Sequence, residues 1–452
     1  MTDTPSRRKI LRTLSAASAA AVLRGSPQSG SAIDNRTAWY RAAKFGMFIH
    51  WGPYSQASVE ASWPIMVPTA GMISEAEYVA LPKRFNPTQF DPSAWVRLAR
   101  AAGQRYMVFT TKHHDGFCMF DSSYTDYKIT RTPYGKDIVK QLAEACHREG
   151  MPIGFYYSPP DMHHPAFRDT SKPASQNWKA EPQRPEWPLY LDYMELQLTE
   201  LLTRYGDVVL IWFDGLNDQE KYNGRRVLDL IHRLQPATLV NNRIGLDADY
   251  ETPEQFIPKA IPTRGTRILG LEDEQKATAQ NSVPRPEDFR LWETCMTINN
   301  TWGYNRNDRA FKPASHLIRS LVDVASRGGN FLLNVGPSPE GTIQPEFQER
   351  LLAIGKWMDR NGDSIYGTTY GPIQGLDYAR TTAKDRNVYV HVLNWATPKL
   401  ALPSGALPKV RSVELLDGGK QLEFRQSEHA IEIDTPAQPP DPVVSVLVLR
   451  SA

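Results

Sequence analysis

At 452 residues the chain is long enough for a barrel-sized domain and a smaller module. Its 52 Lys and Arg are balanced by 50 Asp and Glu, a net charge of +2 with both signs spread along the sequence, so nothing suggests a nucleic-acid or polyanion partner. Three cysteines, Cys118, Cys146 and Cys295, are too few and too scattered for a disulfide framework, and no Cys/His spacing reads as a zinc site.

In chain order, the first signal is Ser6-Arg7-Arg8-Lys9-Ile10-Leu11-Arg12 followed by an Ala-rich, mildly apolar run from Leu14 to Leu23. It resembles a twin-arginine export signal, so residues 1–32 are expected to direct the chain to the periplasm or outside the cell. The run is too short to span a membrane, and no later run is apolar enough to do so, so no membrane span is expected in the mature protein. Lys44 to Gly52 is a short apolar strand ending in His50-Trp51-Gly52. The Pro- and Ser-rich stretch to Pro87 reads as a long loop holding Glu60 and Trp63. Asp91 to Gly103 carries an N-cap Asp, a first-turn Pro and a terminal Gly, and predicts a helix. A strand from Arg105 to Thr111 runs into Lys112-His113-His114-Asp115-Gly116, and a helix is expected from Asp137 to Arg148. Pro152 to Ser158 is a third strand with two tyrosines near its end.

Residues 159–188, again Pro-rich, read as a long connection or lid, and Leu189 to Tyr205 as an amphipathic helix closed by Gly206. Val208 to Trp212 is a β-branched apolar run, buried on both faces, and Asp214 follows it. Further helices are expected at Arg225–Leu234, Ser315–Ser326 and Phe347–Asn361, and strands at Thr238–Asn242, within Phe289–Ile298, and at Asn330–Val335. This alternation predicts a parallel sheet with enough units to close a barrel over residues 33–366. From about Thr368 short alternating runs separated by Pro, Gly and Asp predict an antiparallel β-sandwich over 367–452.

The long polar loops follow the strands, which is how the catalytic face of such a barrel looks in sequence. The strand ends carry His50, His113, His114, Tyr156 or Tyr157, Asp214 and Arg243, with Trp51 and Trp212 beside them. Alone, Asp214-Gly215 reads as a turn and any one His as a core residue; polar groups at successive strand ends favour a site. Among 11 Trp and 19 Tyr there are rings enough to stack on a sugar. Adjacent His113 and His114 should point to opposite faces of a strand, which argues against a metal. The set fits a hydrogen-bonding pocket with an apolar floor.

Phe45-Gly46-Met47-Phe48-Ile49-His50-Trp51-Gly52, Lys112-His113-His114-Asp115-Gly116-Phe117, Trp212-Phe213-Asp214-Gly215 and Gly328 through Pro337, with Trp292-Glu293-Thr294-Cys295 and Trp302-Gly303-Tyr304, together resemble the α-L-fucosidases of glycoside hydrolase family twenty-nine. The resemblance covers residues 38–370. It implies an α/β fold, a (β/α)8-like TIM barrel followed by a C-terminal antiparallel β-sandwich, that hydrolyses terminal α-L-fucosyl linkages with retention and without metal or organic cofactor. The expected partner is a fucosylated oligosaccharide or glycoconjugate. Retention calls for a carboxylate nucleophile and a second carboxyl as acid and base. Asp214 matches the family's nucleophile, and Glu254, on a loop able to swing over the pocket, resembles its acid/base, with Glu293 the rival and Glu251 a near neighbour. The resemblance assigns sugar contacts to His50, Glu60, His113, His114, Tyr157 and Arg243, and apolar walls to Trp63 and Trp212. This chain reads Glu60-Ala61-Ser62-Trp63 where the family commonly has an adjacent Glu-Trp pair. Two other readings of the pocket are a retaining glycosidase for another terminal sugar and a carbohydrate-binding protein without catalysis.

Overall fold

The computed structural model describes residues 31–69, 72–215, 218–265 and 283–451, with side chains from residue 35; the expected export signal lies outside the described residues. Residues 31–36 belong to a separate N-terminal unit and are helical. All that follows concerns the unit Thr37–Ala452.

Its first layer is a parallel sheet of seven strands, β1 Phe45–Ile49, β2 Met107–Lys112, β3 Ile153–Tyr157, β4 Leu210–Phe213, β5 Leu239–Val240, β6 Glu293–Thr297 and β7 Asn330–Val335, in the order β5-β4-β3-β2-β1-β7-β6. Every residue of these strands is buried, since one face meets the barrel interior and the other the helices; β1, β4 and β5 are apolar throughout, as such burial requires. The helices Pro92–Ala101 and Ile138–Arg148 begin where Asp91 and Asp137 accept backbone N–H groups of Ala94 and Lys140, as the sequence predicts.

Between β5 and β6 the ring is closed by a stretch with no strand signature in the sequence. Asp249 N–H donates to the Val240 carbonyl at 2.8 Å, Glu251 N–H to Leu291 at 2.9 Å, and Gln255 N–H to Cys295 at 2.9 Å. Parallel bridges join Asn241 to Tyr250, Glu251 to Trp292 and Glu254 to Cys295. The segment 249–255 is thus an eighth stave of the barrel, made irregular by its charges and by Pro253, which lacks a ladder donor. Glu254 is therefore held in the barrel wall, and the expectation of a swinging loop is corrected.

The two long excursions are cross-linked. Residues 53–87 are folded into short helical pieces, Pro53–Ala57, Trp63–Met66, Glu75–Ala80 and Leu81–Arg84. Arg168, buried in the 159–188 segment, pairs with Glu75 at 3.1 Å, and Glu75 also accepts the Ala174 N–H at 2.8 Å. Met162 and Ala174 share a core with Tyr54, Ala61, Ile65 and Tyr78. The second excursion is thus pinned by buried polar and apolar contacts and is not a free lid.

After the helix Pro345–Asn361 come β8 Thr369–Tyr370, β9 Ala379–Lys384, β10 Asn387–Val392, β11 Lys399–Pro403, β12 Val410–Leu415, β13 Gln421–Leu422, β14 Phe424–Gln426, β15 Ala430–Asp434 and β16 Ser445–Ser451. They form antiparallel sheets of six and three strands around Val390, Leu400, Val413, Ile431 and Leu447. The larger sheet also joins the barrel's outer core through Tyr389, Val446 and Val448, and the Trp357 indole donates to the Val444 carbonyl at 3.0 Å.

Candidate active site

Strand alternation decides what reaches the interior. Phe48, Tyr156 and Trp212 face inward from β1, β3 and β4, with Tyr156 opposite Trp212 in register and the two rings stacked at 5.7 Å. Above them a cavity of about 210 Å³ opens at the C-terminal ends of the strands, with room for one pyranose ring. Its floor is Phe48, Trp212 and Cys295; its polar groups are His50, His113, His114, Asp214 and Glu254; Trp63, Met66 and Trp302 stand at the sides. A larger surface depression, about 420 Å³ and lined by Arg100, Arg105, Arg360 and Tyr366, includes Gly103 and Gln104, which precede β2, and so lies towards the opposite end of the strands.

Asp214 directly follows β4. Its Oδ1 accepts from Arg243 Nη1 at 2.9 Å and from the Gly215 N–H at 2.8 Å, and its Oδ2 from the Tyr156 hydroxyl at 2.9 Å. Burial works against its ionisation, but the Arg243 guanidinium, then His114, His113 and the Tyr156 hydroxyl, outweigh it and hold the carboxyl well below the usual carboxylate range. Arg243 lies on the turn after β5, spread over the Trp212 ring at 4.8 Å, with Nε fixed by the Thr252 hydroxyl at 2.9 Å. Its Nη2 reaches Glu254 at 2.8 Å. One guanidinium therefore joins the two carboxylates. Glu254 is the more open, its side chain 37% exposed against 20% for Asp214.

The imidazoles are oriented from behind. His50 Nδ1 meets Asn334 Oδ1 at 2.7 Å, and the Asn334 amide is itself fixed by donating to the Trp302 carbonyl at 2.7 Å. His114 Nδ1 meets Ser158 Oγ at 2.5 Å, and the serine proton is committed to the Pro160 carbonyl at 2.7 Å. Both rings therefore carry their proton on Nδ1 and leave Nε2 as an acceptor. Burial lowers both basicities, His50 to about 4. His113, held by Ser62 Oγ at 2.7 Å and stacked on Tyr156 at 5.4 Å, is likewise pushed well below its ordinary value by burial. Arg243 is thus the foremost cation beside Asp214.

Several expected residues lie elsewhere. Tyr157 points out of the barrel, its hydroxyl donating to Gln197 at 2.8 Å and its ring under the Lys112 ammonium at 4.6 Å; Tyr156 is the tyrosine of the site. Glu60 does not line the cavity. Its carboxylate accepts the backbone N–H groups of Trp302 at 3.0 Å and Gly303 at 3.1 Å, so it anchors the wall that carries Trp302. Glu293 is wholly buried beneath Trp212, whose Nε1 donates to it at 2.9 Å, and it does not reach the cavity. Glu251 is pinned by Asn242 and by Arg290 at 3.0 Å. His113 and His114 both face the cavity, because β2 ends at Lys112 and strand alternation no longer applies beyond it. With Asp214 they offer ligand atoms within 4.8 Å of one another. The guanidinium already on Asp214 neutralises the carboxylate such an ion would need, which favours sugar hydroxyls as the occupants. Trp302, Phe48 and Met66 carried no expected role, and neither did Asn334, Ser62 and Ser158, which hold the imidazoles.

Among the described residues, no helix is long and apolar enough to cross a membrane. The family description α-L-fucosidase matches residues 15–363 of the chain. The chain is 27% identical to the tissue α-L-fucosidase of Rattus norvegicus, over 91% of this chain and 89% of that one. It is 28% identical to the tissue α-L-fucosidase of Homo sapiens, over 80% and 77%. Among solved structures it resembles α-L-fucosidase isoenzyme 1 from Paenibacillus thiaminolyticus, with a TM-score of 0.79 and 34% identity over 92% of this chain and 99% of that one. It also resembles an α-L-fucosidase from Bacteroides thetaiotaomicron, solved as a trapped covalent intermediate with 2-fluoro-fucosyl fluoride, with a TM-score of 0.76 and 27% identity over 95% and 98%.

Proposed function

The chain belongs to the α-L-fucosidase family of glycoside hydrolases, and from that premise we propose that it removes terminal α-L-fucosyl residues from oligosaccharides or glycoconjugates with retention, Asp214 being the nucleophile and Glu254 the acid/base. The observation that carries this reading is the guanidinium of Arg243 shared between the two carboxylates at the cavity. Asp214, kept ionised, attacks the anomeric carbon; the glycosidic C–O bond breaks and Glu254 gives its proton to the departing oxygen. Glu254 then takes a proton from water, whose oxygen displaces Asp214 from the anomeric carbon and frees fucose. The greater exposure of Glu254 supports its role on the side where the aglycone leaves and water enters.

The acceptor nitrogens of His50 and His114 suit sugar hydroxyls, and the rings of Phe48, Trp212 and Trp302 suit the ring face and C6 methyl of a deoxysugar. The mechanism is tested by substituting each carboxylate with Ala and adding azide to an activated aryl fucoside. Asp214→Ala should yield the inverted glycosyl azide and Glu254→Ala the retained one; wild-type turnover in Asp214→Ala would refute the reading. A panel of nitrophenyl glycosides tests the sugar. We further assign export to Arg7 and Arg8: replacing both with Lys should leave the protein in the cytoplasm.

A further inference from the structure

We propose that Glu293 is a positioning residue: a carboxyl beneath the cavity floor that holds the Trp212 indole in the plane against which Tyr156 and Arg243 present Asp214. The inference rests on the reading of Asp214 and Glu254 given above. Glu293 opens β6 with no exposed surface and looks into the barrel interior. One oxygen accepts from Trp212 Nε1 at 2.9 Å, and the other from the Tyr106 hydroxyl. Tyr40 and Tyr250 pack around it, their ring centres 4.9 Å apart, and Tyr106 is 5.8 Å from Tyr40. A methyl group at Gly46 would lie 2.5 Å from the Tyr106 ring, so the glycine of β1 is what lets that tyrosine in.

Trp212 has one polar atom, and Glu293 holds it. The indole faces then carry the rest: Tyr156 stacks at an interplanar angle of 16°, and the Arg243 guanidinium lies over the ring. These two residues are the ones that bond Asp214 Oδ2 and Oδ1. The chain of contact runs from Glu293 through one indole to both oxygens of the nucleophile, without Glu293 touching substrate. A tilt of Trp212 would disturb the sugar floor and the nucleophile together.

Glu293→Gln tests this. Above about pH 7, where Glu293 is ionised, an amide offers one acceptor where the carboxylate offers two, so either Trp212 or Tyr106 faces an N–H₂ group, and the kinetics are compared in that range. The single variant should lose about tenfold to a hundredfold in kcat/KM, the range for one charge-assisted hydrogen bond. The loss should fall on both kcat and KM, be equal for aryl fucosides with good and poor leaving groups, and be unaffected by azide. Adding Tyr106→Phe removes the competing donor and leaves the amide oxygen to Trp212, so the double variant should recover most of the loss. Wild-type kinetics in the single variant, or a double variant no better than the single, would overturn the inference while leaving Asp214 and Glu254 untouched. A loss that grows with leaving-group basicity and is rescued by azide would instead make Glu293 the acid/base, and both readings would fall.

Discussion

The Tyr156 hydroxyl donates to Asp214 Oδ2 at 2.9 Å, whereas its neighbour on the same strand, Tyr157, points the other way to Gln197. Tyr156→Phe removes one of the bonds that stabilise and aim the carboxylate, and kcat/KM should fall about tenfold to thirtyfold. Tyr157→Phe should leave turnover unchanged and cost about 1–3 kcal/mol of stability, because the buried Gln197 oxygen loses that donor. Steady-state kinetics and chemical denaturation of the two variants separate the effects.

The choice between these tyrosines was open to sequence reasoning. If Trp212 lies inward on β4, the in-register residue of the parallel neighbour lies inward too, and that residue is Tyr156. The strands, the capped helices at Asp91 and Asp137, and Asp214 at a strand end were legible because each is fixed by local periodicity or by a capping side chain. The stave 249–255 was not, since its pairing comes wholly from the frames of β5 and β6 and its residues, with two glutamates and a proline, have no strand periodicity. The family resemblance gives Glu60 a sugar contact, but two residues, Ala61 and Ser62, separate it from Trp63 where the family commonly has an adjacent pair, and its carboxylate meets the Trp302 backbone.

That contact predicts a binding phenotype. Glu60 gives both carboxylate oxygens to the Trp302 N–H, each at 3.0 Å, so Glu60→Ala frees the segment that carries a cavity wall. KM for an aryl fucoside should rise about tenfold, with kcat changed less, since no partner of Asp214 is disturbed. A fall in kcat with unchanged KM would contradict an anchoring role.

The buried carboxyls set a pH dependence of stability. Burial raises Glu293, and likewise Glu60, from an ordinary 4.5 to about 7. Each folded value lies above the unfolded one, so the native state holds the extra proton. Stability on this account is full below about pH 4.5 and is lost as pH rises through 7. The urea midpoint should fall across that window, and Glu293→Gln should remove one proton's share of the slope, about 1.4 kcal/mol per pH unit. Asp214, whose value is depressed, works in the opposite sense and only at lower pH.

Next to His113 and His114 lies a buried ion pair. Lys112 Nζ meets Asp161 Oδ2 at 3.1 Å, the side chains 0% and 2% exposed. Asp161 also accepts the backbone N–H groups of His163 at 3.1 Å and His164 at 3.0 Å, which fixes the start of the 159–188 excursion. Gly116 is required here twice over: its φ is +80°, and a methyl group on it would lie 2.2 Å from the Asp161 carboxylate. Asp161→Asn keeps the shape but leaves the lysine charge buried and unpaired, at a cost of about 3–5 kcal/mol, whereas replacing both partners with apolar residues of similar volume should cost less. The first variant should also lose activity at temperatures well below its unfolding midpoint, because Lys112 precedes His113 and the 159–188 segment begins beside Ser158, the residue that holds His114. Equal midpoints for the single and double variants would show that the pair is solvated in solution and that the excursion is held by its apolar contacts alone.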